Sequence, residues 1–142
     1  MIKVNQPFRQ VGIDIVGPLP KTVAGNQYII VAIDYLTKWP EAKAIPDATA
    51  QSVARFIYED IICKHGCPAE MVSDNGSAFV SQVVEAILEQ HQIKHYLILL
   101  YHPQSNGLVE RFNRTLCTSL AKYVQVMEDD WDQYILSVLF TY

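Results

Sequence analysis

Gln27 to Asp34 reads QYIIVAID, an almost unbroken run of apolar, largely β-branched residues. A strand with one wet face alternates apolar and polar side chains, whereas a run without alternation suits a strand covered on both faces. Layers must then lie on each side of the sheet, so the run predicts an α/β architecture with this segment central in the sheet. At 142 residues, half of them hydrophobic, the chain can build one such core and has little room for a second.

The other elements follow from shorter patterns. Val11, Ile13 and Ile15 alternate with Gly12, Asp14 and Val16, a period of two that predicts a strand ended by Gly17-Pro18-Leu19-Pro20. Glu41 to Ile45 reads as an edge strand, and Glu70 to Ser73 and Ile93 to Leu100 as two more. Asp47 or Thr49 can cap a helix that buries Val53, Phe56, Ile57 and Ile61 and stops at Gly66. A second helix is predicted from about Val80 to Gln90, burying Val83, Ile87 and Leu88. A long third helix follows the polar loop Gln104 to Gly107, with Ser105 or Asn106 as cap and a stripe of Leu108, Phe112, Leu116, Leu120 and Tyr123. A last helix begins near Trp131 and buries Ile135, Val138 and Leu139. It runs to Tyr142 without a C-terminal cap, which reads as a fragment cut from a longer chain.

No run of eighteen apolar residues is present and the first ten residues lack a signal-peptide core, so no membrane is expected and the chain is read as intracellular. Three cysteines are too few for a disulfide framework and read as reduced thiols. The formal charge of −4 runs against simple phosphate neutralisation, the main source of affinity for nucleic acid. Two bound divalent cations would cancel it formally.

Three of the fifteen acids stand apart by position. Asp14 lies inside a strand, Asp74 at a strand's C-terminal end, and Glu110 on the first turns of the long helix, off its apolar stripe and on one face with Asn113, Arg114, Cys117 and Ala121. A carboxylate in such places needs compensation. Hard divalent cations supply it, because magnesium accepts a few carboxylates and keeps waters and substrate phosphate in its shell. Any one Asp alone is more often structural, as Asp34, Glu41, Asp47, Glu59 and Asp60 illustrate.

The segments around these acids carry a family resemblance. Phe8 to Pro20 (FRQVGIDIVGPLP), Tyr35 to Ala42 (YLTKWPEA), Ser73 to Phe79 (SDNGSAF) and Tyr101 to Leu116 (YHPQSNGLVERFNRTL) resemble, in order, the integrase catalytic core of gypsy-like long-terminal-repeat retrotransposons and, more distantly, of retroviruses. The 35 residues between Asp74 and Glu110 match the spacing of that family's acidic triad, and the likeness runs from Phe8 to Tyr142. It implies a ribonuclease H-like fold, a five-stranded mixed sheet flanked by helices. It implies a metal-dependent polynucleotidyl transferase that processes DNA 3' ends and joins them to target DNA, acting in the nucleus on chromosomal DNA. Asp14 would bridge two magnesium ions, Asp74 would hold one and Glu110 the other, with manganese able to substitute. Element ends and target DNA are the implied partners, and a homodimer or higher oligomer the implied assembly.

By the same resemblance Asn75 and Gly76 shape the turn presenting Asp74, and His102, Gln104, Ser105 and Asn106 form a loop against the DNA end. Asn113, one turn past Glu110, reaches a ligand acid or DNA. Arg111 and Arg114 are phosphate-contact candidates, with solvent-facing helix arginines as the plain alternative. Asp34 is outside the triad, and Trp39 is expected to pack rather than stack on DNA.

Cys63, Cys67, His91 and His95 superficially resemble a zinc site, C-x3-C then H-x3-H with 23 residues between. The interval is long for a compact finger, and the family's zinc module has histidines first and precedes the core, so no zinc is expected here. That module and the basic C-terminal domain are expected to lie outside residues 1–142, a single catalytic-core domain. The apolar Tyr96 to Leu100 departs from the family's usual approach to the following loop. Two other classes remain open: a domesticated or decaying core serving as a nucleic-acid-binding or dimerisation module, and a ribonuclease H-like nuclease. Metal binding lost on Asp74→Asn separates enzyme from module, and joining to a second DNA separates integrase from nuclease.

Overall fold

The computed structural model describes residues 6–98, 107–126 and 128–140. Five strands, β1 (Gln10–Val16), β2 (Tyr28–Asp34), β3 (Pro40–Ile45), β4 (Glu70–Ser73) and β5 (Lys94–Leu97), form one sheet in the order β3-β2-β1-β4-β5. β1 and β2 pair antiparallel, as do β2 and β3, while β4 runs parallel to both β1 and β5. The apolar run is interior as expected, with Ile29 to Asp34 all buried, but the middle strand is β1. β3 is an edge strand that begins on Pro40, a place where a missing N–H is tolerated.

Two cores sandwich the sheet. On one face Val11, Ile13, Ile30 and Met71 pack against Val53, Phe56 and Ile57 of the first helical segment and Val84 and Leu88 of the next. On the other, Ile29, Val31 and Ile33 pack against Phe112, Leu116 and Leu120 of the long helix and against Trp131, Ile135 and Val138 beyond it. Each large side chain buried there contributes about 1.5–3 kcal/mol. The helix is thereby fixed over β1 and β2.

The first helix opens where the sequence placed its cap. Thr49 Oγ1 accepts from Ser52 N at 3.3 Å, and Asp47 Oδ1 in turn accepts from the Thr49 and Ser52 hydroxyls at 2.7 Å each, so both candidates take part. α1 (Ala50–Phe56) then widens into a π-helical segment, Ile57–Ile62, before α2 (Cys63–His65) stops at Gly66, whose φ is 88°. The sequence predicted one unbroken α-helix. A four-residue interval such as Ile57 to Ile61 keeps both side chains inward in either winding, so apolar spacing does not separate the two.

α3 spans Gln82–Gln90, two residues later than predicted, because the Ser81 hydroxyl caps it by accepting from Val84 N at 3.3 Å. That start sets which residues face inward: Val84 and Leu88 are buried, Ile87 is half-buried, and Val83, predicted to be buried, is exposed. β5 ends at Leu97, and the rest of its predicted span beyond residue 98 lies outside the described residues.

α4 (Gly107–Val126) carries the predicted stripe where its side chains are described; those of Leu108 and Tyr123 lie outside the described set. A 3-10 turn, Trp131–Tyr134, leads into α5 (Ile135–Phe140). This end is tied to the β1–β2 connection: Trp131 Nε1 donates to Pro20 O at 2.6 Å, while Thr22 Oγ1 and Asn26 Nδ2 both donate to Asp132 Oδ2, at 2.7 and 2.8 Å.

Candidate active site

The parallel register of β1 with β4 sets the geometry of the first two acids. Gln10 pairs with Glu70, Val11 with Met71 and Gly12 with Val72, and two residues further along each chain segment stand Asp14 and Asp74. Neighbouring strands lie about 4.8 Å apart, and residues of matched parity point to one face. For Asp14 that face is the one covered by α4, since it pairs with Val31 of the second core. Asp74 has just left β4 and is exposed.

Each carboxylate is held by local donors. Asp14, half-buried, accepts from Ile15 N through Oδ1 at 2.8 Å and from Asn113 Nδ2 through Oδ2 at 2.8 Å. Asp74 Oδ1 accepts from Gly76 N at 2.8 Å, and no lysine or arginine among the described residues pairs with it. A Cβ on Gly76 would stand 2.9 Å from Asp74 Oδ1, closer than such contacts come, so a larger residue here would displace the Asp74 carboxylate.

Asn113 joins α4 to Asp14, and Glu110 stands one helical turn before it on the same helix face by spacing. The Glu110 side chain lies outside the described set, as do residues His102, Gln104, Ser105 and Asn106 entirely. Asn75 is exposed in the turn beside Asp74, and Arg111 and Arg114 are exposed on α4. Of the candidate residues whose side chains are described, Asp14 and Asn113 are brought into direct contact, with Asp74 just past the end of the adjoining strand.

The chemistry of this donor set fits a hard divalent cation. The candidate ligands are oxygen atoms, and Asn113 Oδ1, beside Asp14, is a buried polar atom without a partner among the described residues. Among the described residues no cluster of three potential ligands is complete, Glu110 being outside that count.

Asp34 is wholly buried yet belongs to the opposite face, paired with Val11. Its carboxylate accepts from Phe8 N and Thr37 N at 3.0 Å each and from Thr37 Oγ1 at 2.6 Å, which makes it the cap of the turn after β2. Trp39, expected to pack, is 56 % exposed. It sits at the entry to edge strand β3, where its indole N–H donates to Glu41 Oε1 at 3.2 Å and its ring borders a surface recess with Leu136 and Leu139. The four zinc-like residues divide: Cys67 and His91 line one recess, Cys63 is exposed on α2, and His95 is engaged by Ser73 and Glu85. Those last three residues did not stand out in the sequence as a group. Their pairing depends on the β4–β5 register, and only the His95 position within a strand hinted at it.

The strand order, with three antiparallel strands, two parallel ones and helices on both faces, defines the ribonuclease H-like class of α/β folds. The model of the integrase core domain matches residues 4–103, and the chain belongs to that family. It is 33 % identical over 128 residues to a retrovirus-related Pol polyprotein from transposon 412 of Drosophila melanogaster, a match that covers 90 % of this chain and 10 % of the polyprotein. Among solved structures it resembles a chain of a simian T-cell lymphotropic virus intasome bound to a PP2A regulatory subunit, with a TM-score of 0.79 and 26 % identity over 95 % of this chain and 48 % of that one. The catalytic core domain of BIV integrase superposes with a TM-score of 0.74 at 28 % identity, covering 93 % of this chain and 81 % of that one. The chain therefore spans only a tenth of its polyprotein relative and about half of the intasome chain.

Proposed function

We propose that the chain is the catalytic core of a metal-dependent polynucleotidyl transferase, with Asp14, Asp74 and Glu110 holding two magnesium ions and DNA as substrate. The observation that carries the proposal is the Asn113–Asp14 hydrogen bond, because it docks the helix bearing Glu110 over the strand whose register leads from Asp14 to Asp74. When bound, the ions would activate an attacking oxygen and stabilise the leaving one during in-line displacement at phosphorus.

The protein's own part is to orient ligands. Ile15 N and Asn113 Nδ2 each occupy one oxygen of Asp14 and fix its plane, and Gly76 N does the same for one oxygen of Asp74. Preset ligands avoid reorganisation when the cation and its phosphate arrive. Arg111 and Arg114, exposed on α4 next to Glu110 in sequence, supply positive charge for phosphates in a chain of formal charge −4. The uses proposed are 3'-end processing and strand transfer, in the nucleus, within a dimer or larger assembly. The similarity to an intasome chain supports that last point.

The test is a reversal assay on a branched DNA substrate with magnesium or manganese. Resolution of the branch by the chain, abolished in Glu110→Gln, is the expected result. Equal activity in the variant would remove Glu110 from the site, and cutting without rejoining would favour a nuclease.

A further inference from the structure

Ser73, His95 and Glu85 form a chain of contacts behind the strand end that carries Asp74. Ser73 Oγ lies 2.6 Å from His95 Nε2, and His95 Nδ1 lies 2.7 Å from Glu85 Oε1. Ser73 Oγ also donates to the carbonyl oxygen of Asp74 at 2.9 Å. Three elements meet here: β4 supplies Ser73, β5 supplies His95 and α3 supplies Glu85.

Alternation puts the relay on the face of the sheet away from Asp14. Ser73 shares parity with Met71, which belongs to the core beneath α1 and α3, and Met71 pairs with His95 across the β4–β5 register. Ser73 is wholly buried and the His95 side chain only 6 % exposed, so the Ser73–His95 bond is shielded from water, while the Glu85 side chain is half-exposed. Its burial leaves Ser73 unsuited to act as a nucleophile.

The proton arrangement follows from the partners. A carboxylate only accepts, so Nδ1 of His95 carries a proton and donates it to Glu85. That leaves Nε2 to donate to the Ser73 hydroxyl oxygen, whose own proton goes to the Asp74 carbonyl. Asp74 has left the ladder: the last bond of β4 recorded on this edge is Ile98 N to Ser73 O at 2.8 Å. The backbone of Asp74 is thus steadied by a side chain whose own rotamer the imidazole fixes.

We propose that His95 is a positioning residue for Asp74, acting through Ser73 and itself anchored by Glu85. The inference rests on the reading of Asp74 as a metal ligand. Support shells of this kind alter metal affinity by about 10–100-fold when removed, and one that acts through backbone belongs at the low end.

The test is calorimetric titration of the 142-residue chain with Mn2+ alone, alongside thermal melting. Ser73→Ala and His95→Phe are each expected to weaken Mn2+ binding about tenfold, and His95→Gln, whose amide can still reach Ser73, to restore most of it. The double variant Ser73→Ala, His95→Phe should bind no worse than either single one, since both break one path. A purely structural role would lower the melting temperature and leave the affinity of the folded chain unchanged, which overturns the proposal; so does an additive double variant. Should His95→Phe fail to fold, Ser73→Ala, a small truncation, and Glu85→Ala, on a half-exposed side chain, carry the test: unchanged affinity in both overturns it. Asp74→Asn separates the two readings. Loss of Mn2+ binding there with none in the relay variants rejects the relay alone, whereas unchanged binding in Asp74→Asn rejects the metal site and the relay with it.

Discussion

Asn113 Nδ2 donates to Asp14 Oδ2 across 2.8 Å, joining the long helix to the carboxylate of the middle strand. The other amide atom, Oδ1, is buried with no partner among the described residues. Asn113→Ala removes both. We expect a loss of about 1 kcal/mol in urea unfolding, typical of one hydrogen bond, and about tenfold weaker Mn2+ binding. Full metal affinity in the variant would deny Asn113 any part in holding Asp14.

Gly76 tests the site from the other acid. Its substitution by alanine puts a Cβ against Asp74 Oδ1 in an exposed turn, so the carboxylate must move while the core is untouched. The melting temperature should change little and the Mn2+ affinity fall by about tenfold. A variant that binds metal normally would mean that the Gly76–Asp74 contact does not set the ligand's direction.

Arg111 and Arg114 are exposed on α4, and surface substitutions there should leave stability within about 0.5 kcal/mol. If they contact phosphate, each change to alanine lowers the slope of log affinity against log salt by about 1 for DNA binding. An unaltered slope assigns them to the solvated surface.

The cap of α1 has an acid limit. The Thr49 and Ser52 hydroxyls hold the Asp47 carboxyl below its ordinary 3.8. A group with a depressed folded value stabilises above its unfolded value and loses that contribution as pH falls through the folded one. Stability attributable to this cap should therefore decline only below about pH 3.8. Thr49→Ala should lower stability near neutrality by about 1 kcal/mol and flatten that acid decline. An equal decline in both proteins would place it elsewhere.

Much of the fold was legible because burial leaves a pattern. The run from Gln27 marked an interior strand, Glu70 to Ser73 was bounded as it stands, and Phe112, Leu116 and Leu120 marked the inner side of α4. Local winding was less visible. Val83 and Val84 are both plausible core residues, and only the Ser81 cap decides between them. The Asp34 role was within reach, because an Asp three residues before Thr37 is a turn signal. The Ser73–His95–Glu85 contacts were not, since a strand's partner and register are set by packing at a distance.

The most direct measurement of the central claim is Mn2+ titration of the chain and of Asp14→Asn, Asp74→Asn and Glu110→Gln, each confirmed to be folded by thermal melting. Saturable binding by the unaltered chain, weakened more than about tenfold by every one of the three changes, is the predicted result. Binding that survives any one of them undiminished contradicts a site built from all three acids.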